Sequence, residues 1–136
     1  FSRRQQKTLT NKLILNQTFS TKSYLELTAR HYWSTVLNSS YYYLENSGHL
    51  NEIILTQTDS NYDVNFNTWN IDLKYSLEFK PGSFISIVWQ NQLTNETTQI
   101  ENVFLHNIND LFEKPSSNVF SIKFTYYIDA QDYINK

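Results

Sequence analysis

Between Trp69 and Phe79 every odd-numbered position is apolar (Trp69, Ile71, Leu73, Tyr75, Leu77, Phe79), while Asn70, Asp72, Lys74, Ser76 and Glu78 stand between them. A repeat of two is the mark of a β-strand, whose successive side chains point to opposite faces. Lys80-Pro81-Gly82-Ser83 then supplies a turn, Pro presetting φ and Gly accepting a positive φ. Phe84 to Gln92 returns with Ile85, Ile87 and Trp89 alternating against Ser86 and Gln90; Val88 breaks the pattern. Length decides what kind of strand this is. Strands of soluble proteins usually run about five or six residues, whereas one that crosses a bilayer at a tilt needs roughly nine to eleven with one face wholly apolar. Trp69 to Phe79 meets that requirement. Its aromatic residues sit at the two ends of the apolar face, where an interfacial girdle would put them, and aliphatic Ile71 and Leu73 lie towards the middle. The pattern therefore predicts a hairpin of a transmembrane β-barrel, lipid-facing at odd positions and lumen-facing at even ones.

The same reading extends along the chain. Gln5 to Phe19 forms a first strand, with Leu9, Leu13, Leu15 and Phe19 on one parity and Thr8, Thr10, Lys12 and Asn16 on the other; Ile14 is out of step. After a polar turn over 20–23, Tyr24 to Asn38 sets Leu25, Leu27, Ala29, His31, Trp33 and Leu37 against Glu26, Thr28, Arg30 and Ser34. Ser39 to Leu44 is expected to begin a third strand, and 45–65 to be a long external loop in which Asn51 to Thr56 either prolongs that strand or folds over a rim. A second long connection covers 93–118, and Val103 to Lys114 places Val103, Ile108, Leu111 and Phe112 at helical spacing before Pro115 stops the helix. Val119 to Ile128 is the last strand, Phe120, Ile122, Phe124, Tyr126 and Ile128 alternating with Ser121, Lys123, Thr125 and Tyr127; Asp129 to Lys136 is a polar tail. The predicted fold is all-β: an antiparallel transmembrane β-barrel segment of about six strands, with a short helix in one long loop. Short turns on one side and long loops on the other suit an outer-membrane barrel. Bacterial single-chain barrels begin at about eight strands, so six would leave two edges in lipid. Further strands are expected to precede Phe1, and the chain, which opens with neither Met nor a signal sequence, reads as the end of a longer exported protein.

Composition changes this picture little. A chain of 136 residues allows one domain, and its 16% aromatic content combined with only two Gly and two Pro is unusual. The mean hydropathy of −0.52 averages away the alternation of barrel strands. No apolar run is long enough for a transmembrane helix. A net charge of −2, with Arg3-Arg4 the sole basic cluster, gives no reason to invoke nucleic acid. Absence of cysteine excludes disulfides and thiolate metal sites.

The candidate lumen-facing polar residues are Glu26, Arg30, Asp72, Lys74, Glu78 and Lys123. A carboxylate pair among them could do acid/base work, but mixed charges inside a barrel more often form a ladder that solvates or plugs it. The lipid-facing or interfacial candidates are Trp33, Trp69, Leu73, Phe79, Trp89 and Phe124. His31, His49 and His106 lack metal-ligand spacing; His31, beside Trp33 on the outward face, fits an interfacial position. The run Tyr41-Tyr42-Tyr43 and the tryptophans could stack sugars, but interfacial anchoring is the favoured reading. Asn-x-Ser/Thr occurs at Asn16, Asn38 and Asn95, a frequent triplet in Asn-rich sequence and without meaning in a bacterial outer membrane. No P-loop, dinucleotide fingerprint or nucleophile elbow is present, so no catalytic residue, cofactor or metal is expected.

At Arg30 to Ser34 (RHYWS), at FNTWNIDLKYSLEFKPGSFISIVWQN and at NVFSIKFTYYID the chain resembles the C-terminal end of the domain of unknown function (DUF) 5916 family of Bacteroidetes outer-membrane proteins. The resemblance covers nearly the whole chain and is most specific at the PGS turn and the I-V-W strand after it. It implies the last part of a large barrel, without the carbohydrate-binding-like domain that precedes such barrels, and carries over no catalytic residues. The expected partners are the lipid bilayer and, through the long loops, other outer-membrane proteins or glycans. The expected role is a channel, receptor or scaffold linked to glycan uptake. Two rivals stand beside it: an outer-membrane enzyme with its site in the lumen or loops, and a soluble β-sandwich carbohydrate-binding module whose odd face is an inter-sheet core. Strands running past ten residues and ending in aromatics argue against the sandwich.

Overall fold

The computed structural model describes residues 1–54 and 61–128. Six strands and one helix follow in chain order: β1 (Ser2–Ser20), β2 (Ser23–Leu44), β3 (Leu50–Ile53), β4 (Val64–Lys80), β5 (Ser83–Thr97), α1 (Phe104–Phe112) and β6 (Ser117–Thr125). They form one antiparallel sheet in the order β1-β2-β4-β5-β6, with β3 paired to β2. Among the described residues β1 and β6 are its two edges, so the sheet is not closed.

β1, β2, β4 and β5 hold 19, 22, 17 and 15 residues, each far longer than the usual strand. Ser39 to Leu44 does not begin a new strand, as expected, but continues β2. Its run of tyrosines favours extended backbone and contains no breaker. The break comes at Asn46-Ser47-Gly48, where Gly48 takes φ 85° and a tight turn closes through Glu45 and His49 (2.9 Å). β3 then returns along Tyr41 to Leu44. The first part of the expected long loop is thus a hairpin; Leu55 and Thr56 of the Asn51 to Thr56 run lie outside the described residues, as does the tail over 129–136. The helix stands where the spacing puts it, and both predicted tight turns are present.

The chain divides into two compact units: Phe1–Asn11, His31–Trp69 and Leu93–Ser116 make the first, and Lys12–Arg30, Asn70–Gln92 and Ser117–Lys136 the second. In the second, β5 and β6 pair from Phe84↔Thr125 to Gln92↔Ser117. At the β4–β5 turn Gly82 has φ 73°, and a Cβ there would stand 3.0 Å from that of Tyr127, so conformation and close approach both demand glycine. In the first unit α1 lies over strand residues, burying Asn107 and Leu111. Few hydrophobic residues are buried: among the described residues only Ala29, Leu93 and Leu111, against nine polar ones. The sheet has no apolar core of the kind a soluble sandwich builds between two layers.

Candidate functional site

In the second unit the polar candidates gather on one face. Arg30 donates to Asp72 at 2.5 Å, Gln90 donates to the other oxygen of Asp72 at 2.8 Å, and Lys74 donates to Glu26 at 3.2 Å. Ser76 and Ser86 bond across the same face at 3.2 Å, and Lys123 is the cross-strand partner of Ser86. Glu78 is used differently: its carboxylate accepts from the Gly82 amide at 2.9 Å and fastens the turn. These groups form a ladder in which each of Asp72 and Glu26 already holds a cation. The ion-paired side chains are about a third to a half exposed, so water screens each pair. No two carboxylates converge for acid/base work, and among the described residues no group of His, Cys, Asp or Glu could hold a metal.

The opposite face of the same unit is apolar and aromatic. Phe79 stacks on Phe124 at 5.3 Å, and Phe124 on Tyr126 at 6.4 Å. Trp89 stacks on Phe120 at 6.1 Å while its indole donates to Asn118 at 3.1 Å. Leu73 sits half-buried between Ile71 and Tyr75 on the same strand parity. Phe79, Ile87, Phe120, Ile122 and Phe124 are all exposed.

In the first unit the odd-numbered parity carries a different cast. His31, expected at an interface, is only 2% exposed. It is buried because α1 covers it, with Phe104 edge-on to the imidazole at 5.6 Å. His31 Nε2 meets Asn67 Oδ1 at 2.8 Å, and Asn67 Nδ2 donates to the backbone and side-chain oxygens of Asn107 at 3.1 and 3.0 Å. The carbonyl of Asn107 can only accept, so it fixes the orientation of the Asn67 amide. That places an acceptor against Nε2, which must carry the proton. Nδ1 is then the acceptor, and Asn11 donates to it at 3.2 Å. The direction of the whole chain from Asn11 to Asn107 follows from one backbone carbonyl. It ends on Asn107 Nδ2, a buried donor without a partner among the described residues.

Trp33 and Trp69 frame this network. Trp33 donates to Asn65 at 2.8 Å and lies 6.3 Å from Phe104; Trp69 meets Phe112 edge-on at 5.7 Å. Sequence reasoning found both tryptophans but missed Asn11, Asn67 and Asn107. The available signal was the appearance of Asn65 and Asn67 at odd positions, where β4 is otherwise apolar from Trp69 onward. At the start of α1, Val103 makes no side-chain cap. Glu101 takes over: its carboxylate accepts from the amides of Asn102 and Val103 at 2.8 Å and from His106 Nδ1 at 2.6 Å. The Val103 amide and His106 hold Glu101 below the usual glutamate range. Glu101, with Asp110 3.7 Å from the other ring nitrogen, holds His106 above the usual histidine range.

A family model described as a domain of unknown function (DUF5916) matches residues 1–136. No curated protein and no solved structure matches.

Proposed function

The chain belongs to the DUF5916 family along all 136 residues, and we propose that within it these strands form part of the wall of a transmembrane β-barrel in a bacterial outer membrane. The barrel acts as a channel, receptor or scaffold and carries no catalytic chemistry in this segment. One observation carries the reading: in the second unit a single set of strands presents exposed apolar and aromatic side chains on one face and a paired charge ladder on the other. In water the apolar face would be a large exposed patch. In a membrane it is the lipid contact, and the ladder lines the aqueous interior.

Dimensions support it. Trp69 to Phe79 spans ten steps of β4, roughly 33 Å along the strand at about 3.3 Å per residue, or about 25 Å in height at a tilt near 40°, the height of an outer-membrane barrel's apolar band. Trp33, Trp69 and the phenylalanines near the turns (Phe19, Phe79) fall towards the ends of the apolar runs, as interfacial girdles do. The open edges of β1 and β6 require pairing within the bilayer. Fractionation tests the proposal. The native protein should stay with carbonate-washed membranes, need detergent for release and show heat-modifiable mobility; a monomer that melts cooperatively from the soluble fraction without detergent would overturn it.

A further inference from the structure

The helix α1 is more apolar than its seat on the strands requires. Asn107 and Leu111 are buried at 2% and 0% exposure, and they define the side of the helix that faces the sheet. Leu105 and Phe112, seven residues apart and hence on one stripe, lie to one side of that contact. They remain 68% and 51% exposed, with half-buried Ile108 between them. The opposite flank is polar, carrying His106, Asp110 and Glu113. An arc of this width, apolar beyond its own contact and polar across from it, meets a second apolar medium on one side and water on the other.

The position of the stripe identifies that medium. Phe112 is the residue that meets Trp69, ring edge to ring face, and Trp69 begins the unbroken odd-position run through Ile71 and Leu73 on β4. The exposed stripe therefore ends beside Trp69. Trp33, the other girdle tryptophan in this unit, lies against Phe104 at the opposite end of the helix. A surface helix whose two ends lie against two tryptophans of one interfacial girdle lies at the height of that girdle. Resting on the barrel reading above, we propose that α1 is an interfacial helix on the outer wall, with Leu105 and Phe112 immersed at the boundary of lipid headgroups and acyl chains and His106, Asp110 and Glu113 turned to water. Leu111 and the Asn67–Asn107 bonds hold it to the strands, so lipid contact is an addition to a helix already fastened.

The chain contains no cysteine, so single nitroxide labels can be introduced at Leu105, Asp110, Phe112 and Leu73. The membrane-extracted protein is reconstituted into phosphatidylcholine–phosphatidylglycerol vesicles, and collision with oxygen is compared with collision with a water-soluble nickel complex. The oxygen-to-nickel ratio at 105 and 112 should exceed that at 110 several-fold and approach, without reaching, the ratio at 73. Ratios at 105 and 112 equal to that at 110, with 73 still lipid-exposed, would overturn the helix proposal and leave the barrel standing. Labels at 105 and 112 immobile and shielded from both reagents would also overturn it, by showing a protein on this face. A water-exposed label at 73 would overturn the barrel reading and this inference with it.

Discussion

The two units of the chain are built from the same strands with the same repeat of two, yet their odd-numbered positions are filled by opposite chemistry. On β4 the second unit has Ile71, Leu73, Tyr75, Leu77 and Phe79, and the first has Asn65, Asn67 and Trp69. On β2 the same change runs from Leu25, Leu27 and Ala29 to His31, Trp33 and Thr35. Where the odd positions are apolar they are mostly half-buried, with Phe79 exposed and Ala29 buried. Where they turn polar, a helix lies on them and closes a hydrogen-bonded network. Buried polar groups are nearly always paired, so the first unit needs α1 in a way that the second does not. The lesson is that a change of content at constant period marks a change of surroundings, which strand length alone does not reveal.

The strongest way to break this contrast is to loosen the helix. Leu111 is its one fully buried apolar side chain, and Leu111→Ala should cost about 2–5 kcal/mol, measured as lost amide exchange protection across α1 with protection of β5 and β6 unchanged. Equal loss in both places would mean that the two regions are a single cooperative body. Next in size is the network. Asn67→Ala leaves His31 Nε2–H without its acceptor and removes the donor to Asn107, and should destabilise the α1 region by about 1–3 kcal/mol; no change in exchange at Asn107 would show that the relay is idle.

The charge ladder should matter far less. A double-mutant cycle on Glu26 and Lys74 should return about 0–1 kcal/mol, shrinking as salt is added, because both side chains are about half exposed. A coupling several times larger and insensitive to salt would place the pair in a dry interior. The smallest effect is at the helix start. His106 titrates above its ordinary value of about 6.5, so what its bond contributes is complete below that ordinary value and is lost as pH rises through the higher folded-state one. Glu101 titrates below its ordinary value, so its contribution is complete above that ordinary value and fades as pH falls through the lower folded one. The amide of Asn107, which donates to Val103 in the first helical turn, should therefore be best protected between the two folded-state values. His106→Gln should flatten the upper limb; an unaltered profile would remove His106 from the cap.

How much of this was legible follows from which forces are local. Strand identity, the turns at 20–23 and 80–83, the helix before Pro115 and the placement of Arg30, Asp72, Lys74 and Glu26 on the polar parity of their strands all follow from period and turn chemistry. Those are properties of neighbours in sequence. The continuation of β2 through Tyr41 to Tyr43 was misread because three adjacent tyrosines hide the alternation, and the true breaker, Asn46-Ser47-Gly48, lies just beyond them. The burial of His31 was not legible at all. It depends on a helix more than 70 residues away in the chain, and a lone histidine next to a tryptophan carries no sign of what will lie on it.

The central claim is that Leu73 faces lipid and its neighbour Asp72 faces water. Arginine at each position in turn tests it, in the intact protein, by denaturant unfolding in lipid vesicles. Leu73→Arg should cost roughly 2–4 kcal/mol, as a cation does at mid-depth on a barrel's outer wall. Asp72→Arg gives up the bonds from Arg30 and Gln90 and sets two guanidiniums side by side, but at an exposed site that loss should stay near about 1 kcal/mol. If Asp72→Arg proves the more damaging of the two, the odd-numbered face of β4 is not in lipid, and the barrel reading is contradicted.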